Sequence, residues 1–188
     1  AYNIEEGEGV FYGPKIDIKI KDCLDRAWQC STIQVDFNLP EKFDATYRAQ
    51  DGSQKRVIMI HRAIFGSLER FFGILIEHYG GDFPLWLAPV QCAILTISEK
   101  NIEFASSLAE ELKKNEIRIE TDFSNDNISA KIRNTVLKKI SLAIIVGDRE
   151  QQSKILTIRK KSGENLKMKV SEFVDFVKTK VDNKDLNI

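Results

Sequence analysis

The segment Gly80-Gly81-Asp82-Phe83-Pro84 constrains this chain more than any other. Paired glycines end a helix and permit a change of direction, and the proline after them cannot continue one. The hydrophobic pattern differs on the two sides. We therefore read the 188 residues as two domains, 1–82 and 83–188.

Before the break the signals are mostly strand. Ile16, Ile18 and Ile20 alternate with Lys15, Asp17, Lys19 and Lys21, and Asp22 to Arg26 is a polar turn. Trp28 to Leu39 reads as a second strand that Pro40 stops. Asp51-Gly52 marks a hairpin between Thr46-Tyr47 and Val57, and Val57 to Ala63 is a third strand. Gly66 and Ser67 open a helix to about Tyr79, with Leu68, Phe71, Phe72, Leu75 and Ile76 at helical spacing. That order predicts an antiparallel sheet with a helix packed on it.

After the break strands and helices alternate. The pattern predicts a strand at Val90–Ile97, a helix at Lys100–Asn115 and a strand at Arg118–Phe123. A helix at Ile128–Ile140 and a buried central strand at Leu142–Val146 follow. Next come a hairpin, Ile155–Lys160 and Leu166–Val170, and a last helix at Glu172–Val181. This is an α/β layered domain with a mixed sheet, so the whole chain is α/β, or α+β overall.

No apolar run approaches the roughly 18–20 residues a membrane span needs. Cys23, Cys30 and Cys92 are odd in number and at no metal-type spacing, which argues against a disulfide scaffold and fits the cytoplasm. Glu5 and Glu6 stand where a secretory signal carries base, and Ala1 takes the place of an initiator Met, as in a piece of a longer chain. Residues 1–85 carry a net −3 and residues 86–188 a net +3. Nine basic residues against two acids, Asp148 and Glu150, fall within 131–161, a concentration that can bind phosphates or simply be solvated surface.

Thr32, Gln34 and Asp36 share one strand face by parity, and Gln29 joins that face only through a bulge or at a strand end. By itself such a polar row reads more readily as solvent exposure than as a site. His61, flanked by apolar residues, reads more readily as a hydrogen-bonded core histidine than as a metal ligand. Gly66 permits close approach, and Arg70 sits one turn into the following helix, where it can bind a phosphate.

Five segments together go further. They are Gly9-Val10-Phe11-Tyr12-Gly13-Pro14-Lys15-Ile16-Asp17, the run from Trp28 to Phe37, Met59-Ile60-His61-Arg62-Ala63, Gly66-Ser67-Leu68-Glu69-Arg70, and Trp86-Leu87-Ala88-Pro89-Val90-Gln91. In order and spacing they closely resemble the threonyl-tRNA synthetases, class II aminoacyl-tRNA synthetases, over essentially the whole chain. The resemblance implies an enzyme that uses ATP with magnesium to make threonyl-adenylate and passes threonine to the 3′ end of threonine tRNA. It implies the end of a catalytic domain followed by an anticodon-binding domain, in a homodimeric parent.

Residue by residue, the resemblance gives Arg70 the ATP γ-phosphate and Ser67 a place near the adenine. Gln29 and Thr32 contact the nucleotide, Gln34 and Tyr12 lie at the threonine pocket, and Lys15 reaches the reacting end. His61 matches one of three ligands of a zinc ion that holds the amino and hydroxyl groups of threonine, so that valine, lacking the hydroxyl, is rejected. Asn125, Arg133, Glu150 and Arg159 match anticodon contacts, while Asn127 stands where bacterial relatives usually carry Lys. Motif 1, which supplies the dimer interface, motif 2, whose Arg grips the α-phosphate, and the other two zinc ligands have no match here. This piece by itself is therefore expected to be inactive. Two other readings stay open: a non-catalytic tRNA- or RNA-binding module, and a small nucleotide-binding α/β domain, the latter without a glycine-rich phosphate loop after its first strand.

Overall fold

The computed structural model describes residues 2–188. It divides into two compact units, one ending at Tyr79 and the other starting at Gly80.

In the first unit the elements are β1 (Lys15–Lys21), β2 (Ala27–Asp36), the short helix α1 (Asn38–Lys42), the ribbon β3 (Thr46–Arg48) and β4 (Gln54–Arg56), β5 (Met59–Ala63) and α2 (Leu68–Tyr79). β2 lies between β1 and β5, antiparallel to both. β2 ends at Asp36, before Pro40. The Asp36 carboxylate accepts from the N–H groups of Asn38 (2.8 Å) and Leu39 (3.0 Å) and turns the chain into α1. Pro40 then sits in a first helical turn, where its missing N–H has no partner to lose. One sheet face is polar. On the other, Ile16 and Ile60 remain 62% and 65% exposed, and α2 fully buries only Ile74 while Phe71 stacks on Phe65 at 4.4 Å. The sheet-and-helix order is as expected, but the apolar face is incompletely covered by the described residues.

The second unit holds the large cores. Its elements are β6 (Cys92–Thr96), a 3-10 turn (Glu99–Asn101), α3 (Ile102–Lys114), β7 (Ile119–Asp122), α4 (Ile128–Leu137) and β8 (Leu142–Val146), then α5 (Asp148–Ser153), β9 (Ile155–Lys160), β10 (Asn165–Lys169) and α6 (Val170–Asp182). The sheet order is β10-β9-β8-β6-β7, with β6 parallel to β7 and β8 and the other pairs antiparallel. β8 is central, as its unbroken apolar run predicts. On one face Leu108 and Leu112 of α3 and Phe173 and Val177 of α6 pack with Ile94, Ile144, Leu156 and Ile158. On the other, Ile128 and Ile132 of α4 cover Ala93, Leu95 and Ala143. That second face stays open over β9 and β10, where directly paired residues point the same way: Arg159 with Asn165, Thr157 with Lys167, Ile155 with Lys169. The helix α5 does not show in the sequence pattern because six residues are too few for a 3.6-residue period. Glu150 makes it possible by accepting from the Gly147 N–H at 3.0 Å.

Candidate functional site

The polar face of the first sheet gathers most of the residues singled out for threonine and nucleotide. Strand register sets Lys15, Gln34 and His61 side by side across β1, β2 and β5, with Asp17 and Thr32 in a neighbouring row. The pairing slips near Cys30, so that Ile18 faces Ser31 while Lys19 faces Gln29. This β-bulge brings Gln29 onto the face of Thr32. The Gln29 amide donates to Asp17 Oδ1 (2.7 Å) and to Thr32 Oγ1 (2.9 Å), and Thr32 donates to the same Asp17 oxygen at 2.8 Å. Lys15 Nζ pairs with Asp17 Oδ2 at 2.8 Å.

The Tyr12 hydroxyl donates to Gln34 Oε1 at 3.0 Å, and the Gln34 amide N–H groups have no hydrogen-bond partner among the described residues. Tyr12 comes from a segment laid along β2, where the Phe37 N–H donates to Tyr12 O and the Val35 N–H to Pro14 O. Gly13 makes that approach possible: a Cβ there would lie 2.1 Å from Val35 O. Gly66 plays a similar part after β5. Its φ is +68°, and a Cβ would meet Cys30 O at 3.1 Å, so the turn into α2 rests on the bulge.

Asp36 is the residue whose role sequence reasoning missed. It is 2% exposed, and its Oδ2 lies 2.8 Å from His61 Nε2. Burial is the largest single influence on this carboxyl and works to raise it, but the Leu39 N–H, His61 and the Asn38 N–H together hold it below the usual 3.8. An ionised Asp36 accepts, so Nε2 carries the proton and Nδ1 keeps a free lone pair. The signal was present in the strand register, which only the structure supplies. Among the described residues no three His, Cys, Asp or Glu converge for a metal. One imidazole by itself does not make a zinc site.

Asp17 is lowered too, first by its bond to Lys15, then by Thr32, against burial. Both folded carboxyls therefore lie below their unfolded value, so the stability they contribute is complete above about pH 3.8 and is lost as pH falls through the folded values. Carbon-13 NMR of the two side chains should give midpoints below 3.8. A midpoint at or above that value for either would show that its bonds are not formed in solution.

Arg70 and Ser67 are not brought into this network. The Ser67 hydroxyl donates to Glu69 Oε2 at 2.8 Å and accepts from the Arg70 N–H at 3.3 Å. The Arg70 guanidinium lies 5.5 Å over the Trp28 ring.

In the second unit Glu150 Oε1 accepts from Thr157 Oγ1 at 2.8 Å, which holds the carboxylate beside the open face that carries Arg159. Arg159 itself bonds to Gly163 O at 3.2 Å. Arg133 on α4 and Asn125 in the loop before it are exposed. Asn127 caps α4, its Oδ1 accepting from the Ala130 N–H at 2.8 Å.

The basic concentration at 131–161 is not the patch its composition suggests. Lys131 is 1% exposed and gives its ammonium to Thr96 O (2.9 Å) and Asp122 O (3.3 Å). Lys138 pairs with Glu120, Lys161 with Asp82, and Lys160 with Glu164 at 2.9 Å, while Lys139 bonds to Gly80 O. Arg133 and Arg159 form no ion pair among the described residues. The residues are as basic as their composition says, but partners decide which charges remain available.

Two protein families match successive parts of the chain. Residues 2–79 match the family described as tRNA synthetase class II core domain (G, H, P, S and T), and residues 91–180 match the anticodon binding domain family. The chain is 51% identical over 178 residues to a threonine–tRNA ligase of Pelobacter propionicus, covering 94% of this chain and 28% of that protein. It is 50% identical over 185 residues to one of Aquifex aeolicus, covering 98% and 29%. It thus spans under a third of these relatives. A crystal structure of the RNA binding domain of threonyl-tRNA synthetase from Cryptosporidium parvum superposes with a TM-score of 0.85 at 38% identity, covering 92% of this chain and 44% of that one. With a core-domain tail ahead of an anticodon-binding domain and threonine–tRNA ligases along nearly its whole length, the chain belongs to the threonyl-tRNA synthetase family of class II aminoacyl-tRNA synthetases.

Proposed function

We propose that this chain is the C-terminal portion of a threonine–tRNA ligase, which joins threonine to its tRNA through an adenylate made from ATP with magnesium. One observation carries the reading. Gln34, held by Tyr12 in a row with Lys15 and His61, presents amide donors beside an ammonium and an imidazole, a set suited to a small zwitterion bearing a hydroxyl. A non-catalytic RNA-binding module would have no use for that row. Gln29 and Thr32, locked together on Asp17, border the nucleotide, and Arg70 and Ser67 at the start of α2 take the triphosphate and adenine. His61, with Nδ1 free, gives one ligand to a zinc ion whose other ligands lie outside this chain. The parent acts as a homodimer in the cytoplasm, which suits three free thiols.

The second domain, residues 83–188, reads the anticodon of threonine tRNA. Unpaired loop bases offer their edges to side chains such as Asn125, Glu150 and Arg159, with Arg133 adding a base or phosphate contact.

Threonine-dependent ATP–pyrophosphate exchange tests the first assignment. In the complete enzyme Gln34→Ala should raise KM for threonine and lower kcat/KM by roughly 30-fold or more, about 2 kcal/mol, with KM for ATP little changed. An unchanged threonine KM would remove Gln34 from the pocket. The 188-residue chain by itself should show no exchange above an Arg70→Ala control, because adenylate formation needs preorganised charge around the α-phosphate that these residues do not supply.

A further inference from the structure

In the second unit a distinct set of cations remains available. Of the lysines in the basic run, Lys131, Lys138, Lys139, Lys160 and Lys161 are buried, paired or bonded, and the Lys154 ammonium lies 4.2 Å from the centre of the Phe104 ring. On β10, Lys167 and Lys169 are exposed, and neither ammonium forms an ion pair or hydrogen bond among the described residues. Both point to the open face of the sheet, since Lys167 is paired across the ladder with Thr157 and Lys169 with Ile155, while the alternate residues Leu166 and Met168 pack into the core. Arg159 shares this face. The carboxylate beside it, that of Glu150, is taken up by Thr157 and the Gly147 N–H. The result is a row of two lysines without ion pairs among the described residues, beside Arg159, on the part of the sheet face that α4 leaves open.

We propose that Lys167 and Lys169 bind the RNA backbone, holding phosphates next to the bases read at Arg159, so that the electrostatic footprint of this domain extends over the β9–β10 face. The occupant is a phosphodiester backbone because the surface offers ammonium groups and a sheet face without an apolar patch to bury. The proposal rests on the anticodon reading above and extends it to residues that reading does not include.

The test is binding of the 188-residue chain to the threonine anticodon stem-loop, and to a loop with a substituted anticodon base, across a salt series. The double variant Lys167→Gln, Lys169→Gln should flatten the slope of log K against log salt by roughly 1.4–1.8, at about 0.7–0.9 for each phosphate no longer neutralised. It should weaken both loops alike. Lys167→Arg with Lys169→Arg should retain the slope, and Lys160→Gln, which removes a lysine already paired with Glu164, should leave it unchanged. An unchanged slope in the double glutamine variant overturns the proposal. So does an equal change for Lys160→Gln, which would mean that position on the sheet is irrelevant. If the unaltered chain bound both loops equally, the anticodon reading would fall, while the slope comparison would still decide whether the two lysines hold phosphates.

Discussion

Replacing Phe173 with alanine is expected to destabilise the second unit by about 3–5 kcal/mol. Phe173 is 0% exposed, on α6, and packs into the cluster formed with α3 and the central strands. Truncation removes a ring that rigid strands on one side and α3 on the other cannot fill. A unit of this size has a total stability of only about 5–15 kcal/mol, so the variant should be partly unfolded under mild denaturant. Leu137→Ala, 68% exposed on α4 of the same unit, should stay within about 0.5 kcal/mol. Urea titration of residues 80–188 measures both. Cys92 gives an independent readout: it is wholly buried, with its thiol pushed up to about 12 by that burial, so it reacts with thiol reagents only when the sheet opens. Phe173→Ala should speed its labelling strongly, and equal labelling in both variants would mean that α6 does not close this core.

The second large effect concerns recognition. Arg159→Ala should cost about 1–3 kcal/mol on the cognate anticodon loop, roughly 5- to 150-fold, and much less on a loop with a substituted base. Arg159 projects from β9 onto the open face, bonded among the described residues to Gly163 O, and so has donors to spare for a base. Glu150→Gln should narrow discrimination further, since a carboxylate held by Thr157 and Gly147 accepts hydrogen bonds and an amide presents donors as well. Titration of the two loops with each variant checks both expectations. Equal losses on the two loops for Arg159→Ala would make that residue a phosphate contact instead.

The alternation of Ile16, Ile18 and Ile20, the turn at Asp51-Gly52 and the run Leu142–Val146 are legible because each records a single local rule: period two, a glycine at positive φ in a turn, burial on both faces. Other features depend on which strand lies beside which. Gln29 reaches the face of Thr32 only because the β1–β2 pairing slips near Cys30, and parity alone can state the need for a bulge but not supply it. Asp36 supports His61 because β2 and β5 are antiparallel neighbours, and at the same time it starts α1 and so decides where β2 ends. Pro40, which by its chemistry looks like the cause of that ending, is a passenger in the helix that follows. The lysines of 131–161 mislead for the same reason, since Glu120 and Asp82, which neutralise Lys138 and Lys161, are remote in sequence.

The place of β8 in the sheet also has a consequence in time. Cys92 of β6 pairs with Leu142 of β8, fifty positions later, and β8 receives its other neighbour only when Lys160 has been made. At about 5–20 residues per second, the ribosome leaves β6 without its central partner for several seconds, and closing so long a loop is entropically slow. The β9–β10 hairpin, by contrast, can close as soon as it emerges. Nascent β6, with Cys92 through Thr96 all destined for burial, thus needs shelter during synthesis until β8 emerges to pair with it.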